Sequence, residues 1–198
     1  MGSRRKPKKS KKQSEQSQNQ WRNIFIGAAI IAGIFGLGYL LFTNLKGPTP
    51  PEPIAGVVDH EHQERDHVDH EVEAGNLPPV GGIHSPNWQN CGIYDEPINV
   101  ENAVHSLEHG AMWLAYQQDL PQEDVESLRK LVRDEDYVLM SPYPALQSPV
   151  VLTAWEVQLE LDSAQDDRIE EFVGRYQQGP TTPEPGAPCQ DGVGMPIQ

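Results

Sequence analysis

The segment HSLEHG, residues 105–110, holds two histidines four positions apart, with a glutamate next to the second. In a helix, this spacing places His105 and His109 on one face, within reach of a single metal ion. The order H-x-x-E-H also occurs in one group of zinc peptidases. Three alternatives follow: a catalytic zinc site, a metal site without catalysis, or a polar helix end whose histidines are satisfied by hydrogen bonds.

The peptidase interpretation requires a long helix and a third protein ligand downstream. Gly110 is expected to end the helix directly after His109. Glu184, the downstream candidate, lies in the Pro-rich stretch TTPEPGAP. Glu108 could be a ligand, a base or an acceptor that orients a histidine, and we expect it to orient a metal-bound histidine. The sequence favours a metal site without catalysis over a zinc-dependent hydrolase.

Further metal-binding side chains occur elsewhere in the sequence. His84 lies in PPVGGIHSP, His67 in RDHVDHE and Met140 in VLMSP. Imidazole with thioether is typical of copper sites, and imidazole with carboxylate is typical of zinc sites. We therefore predict a copper site, or otherwise a zinc site, formed by His105 and His109 together with His84, His67 or Met140.

The tract DHEHQERDHVDHE contains three more histidines, His60, His62 and His70. Tracts of this composition can bind metal loosely. They can equally form a solvated acidic linker. The sequence leaves both interpretations open.

An uncharged run, IFIGAAIIAGIFGLGYLLF, occupies residues 24–42. A helix of this length spans roughly 28 Å, close to the thickness of the hydrocarbon layer of a membrane. The apolar core of a signal peptide is shorter, so we predict an uncleaved transmembrane helix. Residues 1–23 are basic, and Lys46 is the only Lys or Arg just after the helix. This asymmetry predicts a cytoplasmic N-terminus and an extracytoplasmic C-terminal domain in the cell membrane.

The net charge of -14 conceals an uneven distribution. Beyond residue 46 there are 28 acidic residues and 6 Lys or Arg, a net charge of -22. Nucleic acid is excluded as a partner of this part, because phosphate contacts require cationic side chains. Cations are favoured instead. The expected partners are the lipid bilayer, through residues 24–42, and a membrane-protein neighbour. The alternative to metal binding is an interaction or assembly subunit of a membrane complex.

The sequence contains two cysteines, Cys91 and Cys189, both beyond the apolar run. An exported pair of this kind predicts a disulfide that ties the C-terminal tail to the start of the folded region. The alternative is two free thiols, with Cys91 available to a soft metal.

Composition divides the remainder into a Pro-rich and then His-rich acidic linker at 43–76, a domain at 77–190 and a flexible tail at 191–198. The predicted fold is α+β, a small two-layer sandwich with an antiparallel sheet, two main helices and long ordered loops. A fourth strand would complete a ferredoxin-like arrangement. Hydrophobic periodicity predicts strands over 111–117, 137–144 and 150–161, and helices over 99–110, 119–136 and 162–179.

Four segments together resemble a known family: LPPVGGIHSPNWQNCGIYDEPI, NAVHSLEHGAMWLAY, VLMSPYPALQSPVVLTAW and GPTTPEPGAPC. The resemblance is to the bacterial family called domain of unknown function 3105, and it covers residues 65–190. It implies an extracytoplasmic domain, commonly tethered by one N-terminal helix. The positions that match include His67, His84, His105, Glu108 and His109. The resemblance implies no particular reaction.

Overall fold

A computed structural model describes residues 10–45, 51–69 and 75–197 of the chain. The chain divides into two compact units, Met1–Glu52 and Pro53–Gln198. Each unit is described by itself below.

The first unit contains helix α1, Ser10–Leu45. Its segment Gln18–Thr43 is long and apolar enough to cross a membrane, and a window of 18 residues within it has a mean hydropathy of 2.3. Such a helix near an N-terminus is consistent with a membrane anchor or a signal sequence. The apolar helix predicted at 24–42 is therefore present. The basic tail at 1–23 lies partly outside the described residues, and the orientation across the membrane stays a prediction.

The second unit is built on a mixed sheet. Among the described residues, its strands are β1 Val58–Asp59, β2 Gly92–Ile93, β3 Met112–Gln117, β4 Val138–Tyr143, β5 Val150–Ala154 and β6 Val157–Leu161. Their order across the sheet is β1-β6-β5-β3-β4-β2. Its helices are α2 Val100–Glu108, α3 Gln122–Val132 and α4 Arg168–Tyr176. The predicted α+β class is confirmed.

The sheet is mixed, whereas the sequence predicted an antiparallel one. Strand β4 pairs in parallel with both β3 and β2. The reason is that α3 carries the chain back across the sheet between β3 and β4, and such a crossover returns the next strand in the same direction. A ferredoxin-like sandwich keeps another strand between the two strands that a helix joins. Here β3 and β4 are direct neighbours, so that topology is not confirmed.

The segment predicted as one strand at 150–161 is a hairpin, because the chain reverses between Ala154 and Val157. Glu156, the second of the two loop residues, has φ 64°, a left-handed conformation that residues with a side chain rarely adopt outside turns. Paired residues of a hairpin share a face of the sheet, so Leu152 lies beside Leu159 in one core cluster. Odd-numbered residues, which would share one face in a single strand, therefore lie on one face of the sheet before the turn and on the other face after it.

Helices cover both faces of the sheet, so the unit has more than the two predicted layers. The larger core cluster takes the buried side chains of α3 and α4. The smaller one contains Ala103, Val104 and Leu107 of α2, packed with Trp113 and Trp155. These contacts fix α2 against the sheet and direct its remaining side chains toward the surrounding loops.

The region predicted as a linker is partly folded. The second unit begins at Pro53, and β1 pairs with β6. The tail also makes backbone hydrogen bonds, from Val193 to Trp88 at 2.9 Å and from Ile197 to Ile93 at 2.8 Å.

Cys91 and Cys189 form the predicted disulfide across 98 positions of sequence. Closing a loop of this length stabilises the folded state by about 4–5 kcal/mol in the chain-entropy model.

Candidate metal centre

Helix α2 supplies three polar side chains from its last turn. His105, Glu108 and His109 are 5%, 2% and 4% exposed. Asn99 caps the start of the helix by accepting a hydrogen bond from the backbone N–H of Asn102 at 2.9 Å. The helix ends as predicted, because Glu108 is its last residue and Gly110 follows with φ 95°. The four-residue spacing therefore places both histidines on one buried face.

His84 reaches the same place from the loop before β2 and is fully buried. Its Nδ1 lies 2.7 Å from the carbonyl oxygen of Gly82. Gly82 has φ 104°, which a residue with a side chain rarely adopts. The ring of His84 meets Trp155 edge-on, with 6.0 Å between centroids. The loop and the hairpin together fix the direction of the imidazole.

His67 is contributed by the acidic segment that precedes the domain predicted from the sequence. It forms an isolated parallel bridge with His84. Two backbone hydrogen bonds hold this bridge, from Val68 to His84 at 2.7 Å and from His84 to Asp66 at 3.1 Å. The ring of His67 stacks on that of His105 with 4.8 Å between centroids. His67 is the most accessible member of the cluster, because its side chain is 46% exposed.

The three buried imidazoles share one hydrogen-bonding pattern. The Nδ1 atoms of His84, His105 and His109 each lie 2.7 Å from a backbone carbonyl oxygen. The acceptor for His105 is Ser85, and the acceptor for His109 is Pro188. A carbonyl oxygen only accepts, so each Nδ1 carries the proton and donates it. In the neutral form, each Nε2 then presents its lone pair on the opposite side of the ring.

These Nε2 atoms converge with the carboxylate of Glu108. The distance between the Nε2 atoms of His105 and His109 is 3.0 Å. The Nε2 of His84 lies 3.1 Å from Glu108 Oε2, and that of His67 lies 3.8 Å from it. His67, His84, His105 and Glu108 each offer an atom within 4.8 Å of the others. Glu108 therefore lies where a ligand would lie, and not only where it could orient one.

The electrostatic surroundings of the cluster disfavour additional protons on His105. Burial lowers the pKa of His105 from 6.5 to about 4. The hydrogen bond to Ser85 opposes this shift, and the neighbouring histidines add to it. Glu108 also has a cationic neighbour, because Nη1 of Arg65 lies 3.6 Å from Glu108 Oε1.

The Pro-rich segment that contains Glu184 lies against one side of the cluster. Glu184 Oε2 lies 3.8 Å from His109 Nε2, and its side chain is 51% exposed. The backbone N–H of Glu184 donates to the carbonyl of Glu108 at 3.0 Å. This contact places Glu184, the downstream candidate named from the sequence, beside His109.

The structure does not bring Met140 to the histidines. Met140 is fully buried in the larger core cluster, whereas its neighbour Leu139 belongs to the smaller cluster next to α2. Successive side chains of a strand point to opposite faces, so Met140 faces away from α2. Met140 is therefore a core side chain and not a candidate ligand.

Two further histidines of the acidic tract, His60 and His62, do not belong to the group of converging side chains. His60 is exposed, and His62 pairs with Glu156 at 3.1 Å. His70 lies outside the described residues.

Sequence reasoning missed two side chains near the centre. Arg65 pairs with Glu108. The ring centroid of Trp88 lies 5.1 Å from that of His109 and 5.8 Å from that of His105. The only available signal for Arg65 was its position two residues before His67. The backbone acceptors had no sequence signal at all, because every residue carries a carbonyl group.

Comparison with known proteins gives a family and no closer relative. The sequence model of the family described as "Protein of unknown function (DUF3105)" matches residues 67–191. Neither the curated proteins nor the solved structures gave a match. The matched span contains all five converging residues and both cysteines. The chain belongs to the DUF3105 family of proteins of unknown function.

Proposed function

We propose that the second unit binds one divalent transition-metal ion, zinc(II) or copper(II), through His67, His84, His105 and Glu108, with His109 as a further nitrogen donor next to His105. The observation that carries the proposal is the inward convergence of lone pairs from three buried imidazoles, those of His84, His105 and His109, whose protons point outward to backbone carbonyls.

The contact between His105 and His109 is unfavourable without a positive charge. Both rings donate their Nδ1–H to carbonyls, so two Nε2 lone pairs face each other at 3.0 Å. Burying polar atoms that lack a partner is costly. Two nitrogen ligands at about 2.0–2.1 Å from one ion are roughly 3 Å apart when they are adjacent in its coordination shell. A metal ion therefore turns this contact into a favourable one.

The backbone acceptors support the same function. A metal-bound histidine commonly donates its second ring N–H to a carbonyl or a carboxylate, which fixes the tautomer and the direction of the ring. His84, His105 and His109 all have this arrangement. Histidines that only pack in a core have no need to share the same Nδ1–H to carbonyl hydrogen bond.

The donor set narrows the choice of metal. Because Met140 lies in the hydrophobic core, its thioether, the donor that favoured copper, cannot reach the metal centre. Imidazole and carboxylate donors suit zinc(II), and imidazole also suits copper(II). Both ions are therefore the ones to test.

The place of this activity in the cell is part of the proposal. The basic residues before α1 favour an extracytoplasmic position for the second unit, tethered by the apolar helix. The acidic excess beyond residue 46 raises the local concentration of cations. We propose metal handling at the outer face of the membrane, with delivery to a membrane-protein neighbour.

The test is metal binding by the full-length chain purified in detergent. After chelation and dialysis, calorimetric titration with zinc(II) and with copper(II) should each give one ion per chain. The variant His84→Ala/His105→Ala should lose stoichiometric binding. The matched control, His60→Ala/His62→Ala, removes two histidines outside the cluster and should bind as the wild type does. Failure of both ions to bind the folded wild-type chain would refute the proposal.

A further inference from the structure

The segment from Gln178 to Cys189 runs across the end of α2. The backbone N–H of Gln178 donates to Gly110 at 2.8 Å, and that of Glu184 donates to Glu108 at 3.0 Å. The carbonyl of Pro188 accepts the proton of His109 Nδ1 at 2.7 Å. The segment thus supplies the group that fixes the orientation of one imidazole.

The disulfide begins one residue after that acceptor. Cys189 follows Pro188 and is bonded to Cys91, whose backbone N–H donates to the carbonyl of Cys189 at 2.7 Å. Cys91 directly precedes β2, which pairs with β4 in the sheet. The covalent bond therefore fixes the Pro188 carbonyl relative to the sheet against which α2 packs.

We infer that the Cys91–Cys189 disulfide is a positioning element of the metal centre, which acts by holding the Pro188 carbonyl on His109. The inference rests on the proposed function. With the disulfide, the imidazole of His109 is held with its Nε2 directed at His105. Without it, hydrogen bonds alone hold the segment, and the His109 ring is free to turn its lone pair away from the ion.

Because both cysteines are buried, the disulfide resists reduction and holds the segment permanently. Each is 3% exposed, so reductants reach the sulfur atoms poorly. A role in folding alone would lower stability without any particular dependence on His109. A role in positioning His109 links metal affinity to that one side chain.

A double-mutant cycle on the full-length chain in detergent separates the two roles. Cys91→Ala/Cys189→Ala removes the disulfide without leaving thiols that would themselves bind metal. It should weaken zinc(II) binding by about tenfold to a hundredfold, the range found when groups that orient metal ligands are removed. In a His109→Ala background, the same change should weaken zinc(II) binding by less than about threefold, because the side chain that the disulfide positions is already absent. Equal losses in both backgrounds, or no loss in either, would overturn the inference.

A milder variant covers the case in which the cysteine variant does not fold. Tyr137 donates its hydroxyl proton to the carbonyl of Ala187 at 2.9 Å, one residue before Pro188. Tyr137→Phe removes this second attachment of the segment and keeps the disulfide. It should weaken zinc(II) binding several-fold, again only when His109 is present. If the cysteine variant is unfolded, an unchanged affinity in Tyr137→Phe overturns the inference.

The two proposals fail in different ways. If the wild type binds no ion, the proposed function is wrong. If the wild type binds and the disulfide makes no difference, only the positioning role is wrong.

Discussion

Glu108 Oε2 lies 3.1 Å from Nε2 of His84, although the other ring nitrogen of His84 already donates to the carbonyl of Gly82. A neutral His84 therefore presents a lone pair to a carboxylate oxygen, which is also an acceptor. The contact becomes favourable when a cation or a second proton lies between the two atoms. This pair places a negative charge and an imidazole where they would share one metal ion.

Glu108→Gln tests this relationship directly. The side-chain amide can donate to Nε2 of a neutral His84, so the metal-free protein should be at least as stable as the wild type. The loss of the charged ligand should weaken zinc(II) binding by about tenfold to a hundredfold. Urea unfolding in the presence of a chelator and calorimetric titration measure the two effects.

Glu171→Gln is the matched control for that variant. Glu171 pairs with Arg175 at 2.9 Å on the surface of α4 and lies in none of the contacts of the centre. Zinc(II) affinity should not change. If Glu108→Gln binds zinc(II) as tightly as this control, Glu108 is not a ligand.

His67→Ala should reduce affinity less than His84→Ala. His67 is 46% exposed and comes from an irregular segment, joined to the loop of His84 by an isolated bridge, whereas His84 is fully buried. Water can replace an exposed ligand, so we expect the two variants to differ by about tenfold, or about 1.4 kcal/mol. Titration of each variant with zinc(II) measures this difference. A larger loss in His67→Ala would show that the acidic segment, and not the buried loop, provides the stronger ligand.

The stability of the metal-free protein should fall as the pH is lowered below about 6.5. Burial lowers the pKa of His105 from 6.5 to about 4, so the unfolded chain takes up a proton before the folded chain does. The contribution of His105 is therefore complete above about pH 6.5 and is lost progressively toward pH 4. The slope from this residue is at most about 1.4 kcal/mol per pH unit.

Urea unfolding with a chelator present, at several values of pH in this window, measures that slope. His105→Gln has no imidazole to titrate and should lose less free energy of unfolding than the wild type over the same window. His60→Ala, which removes an exposed histidine, should follow the wild type. Parallel curves for the wild type and His105→Gln would contradict the expected linkage.

The length of the apolar run predicts an uncleaved anchor, and the basic residues before it predict that the second unit lies outside the cytoplasm. When the protein is expressed in a bacterial host, the full chain of 22.1 kDa should be found in the membrane fraction. Protease added to spheroplasts should digest the second unit while a cytoplasmic marker protein survives. A shorter chain lacking residues 24–42 would identify the helix as a cleaved signal sequence. Survival of the second unit until the membrane is permeabilised would reverse the orientation.

Part of this site followed from local sequence rules. A short helix over 99–110, with Gly110 at its end, is predicted from the sequence, and the structure has this helix end at Glu108 with His109 as its C-cap. The helical pitch puts residues four apart, such as His105 and His109, on one face. The pairing of Cys91 with Cys189 followed from their being the two cysteines of the sequence. Both inferences depend only on neighbouring residues or on a count.

The hairpin shows where local rules failed. Ala154, Trp155, Glu156 and Val157 carry no Gly or Asn to signal a turn, and the apolar residues on both sides read as one strand. The structure nevertheless places Glu156 at positive φ and reverses the chain there. Pairing with β3 and the burial of both strands outweigh the cost of that backbone conformation.

The sequence by itself thus determined one pair of imidazoles on a helix, and the tertiary structure decided which other groups join them. His67 and His84 come from separate segments whose approach depends on long-range backbone hydrogen bonds. Met140, with equally suitable chemistry, lies on the other face of the sheet because side chains alternate along a strand. The carbonyls that orient the rings are the same on every residue, so only the folded chain selects Gly82, Ser85 and Pro188.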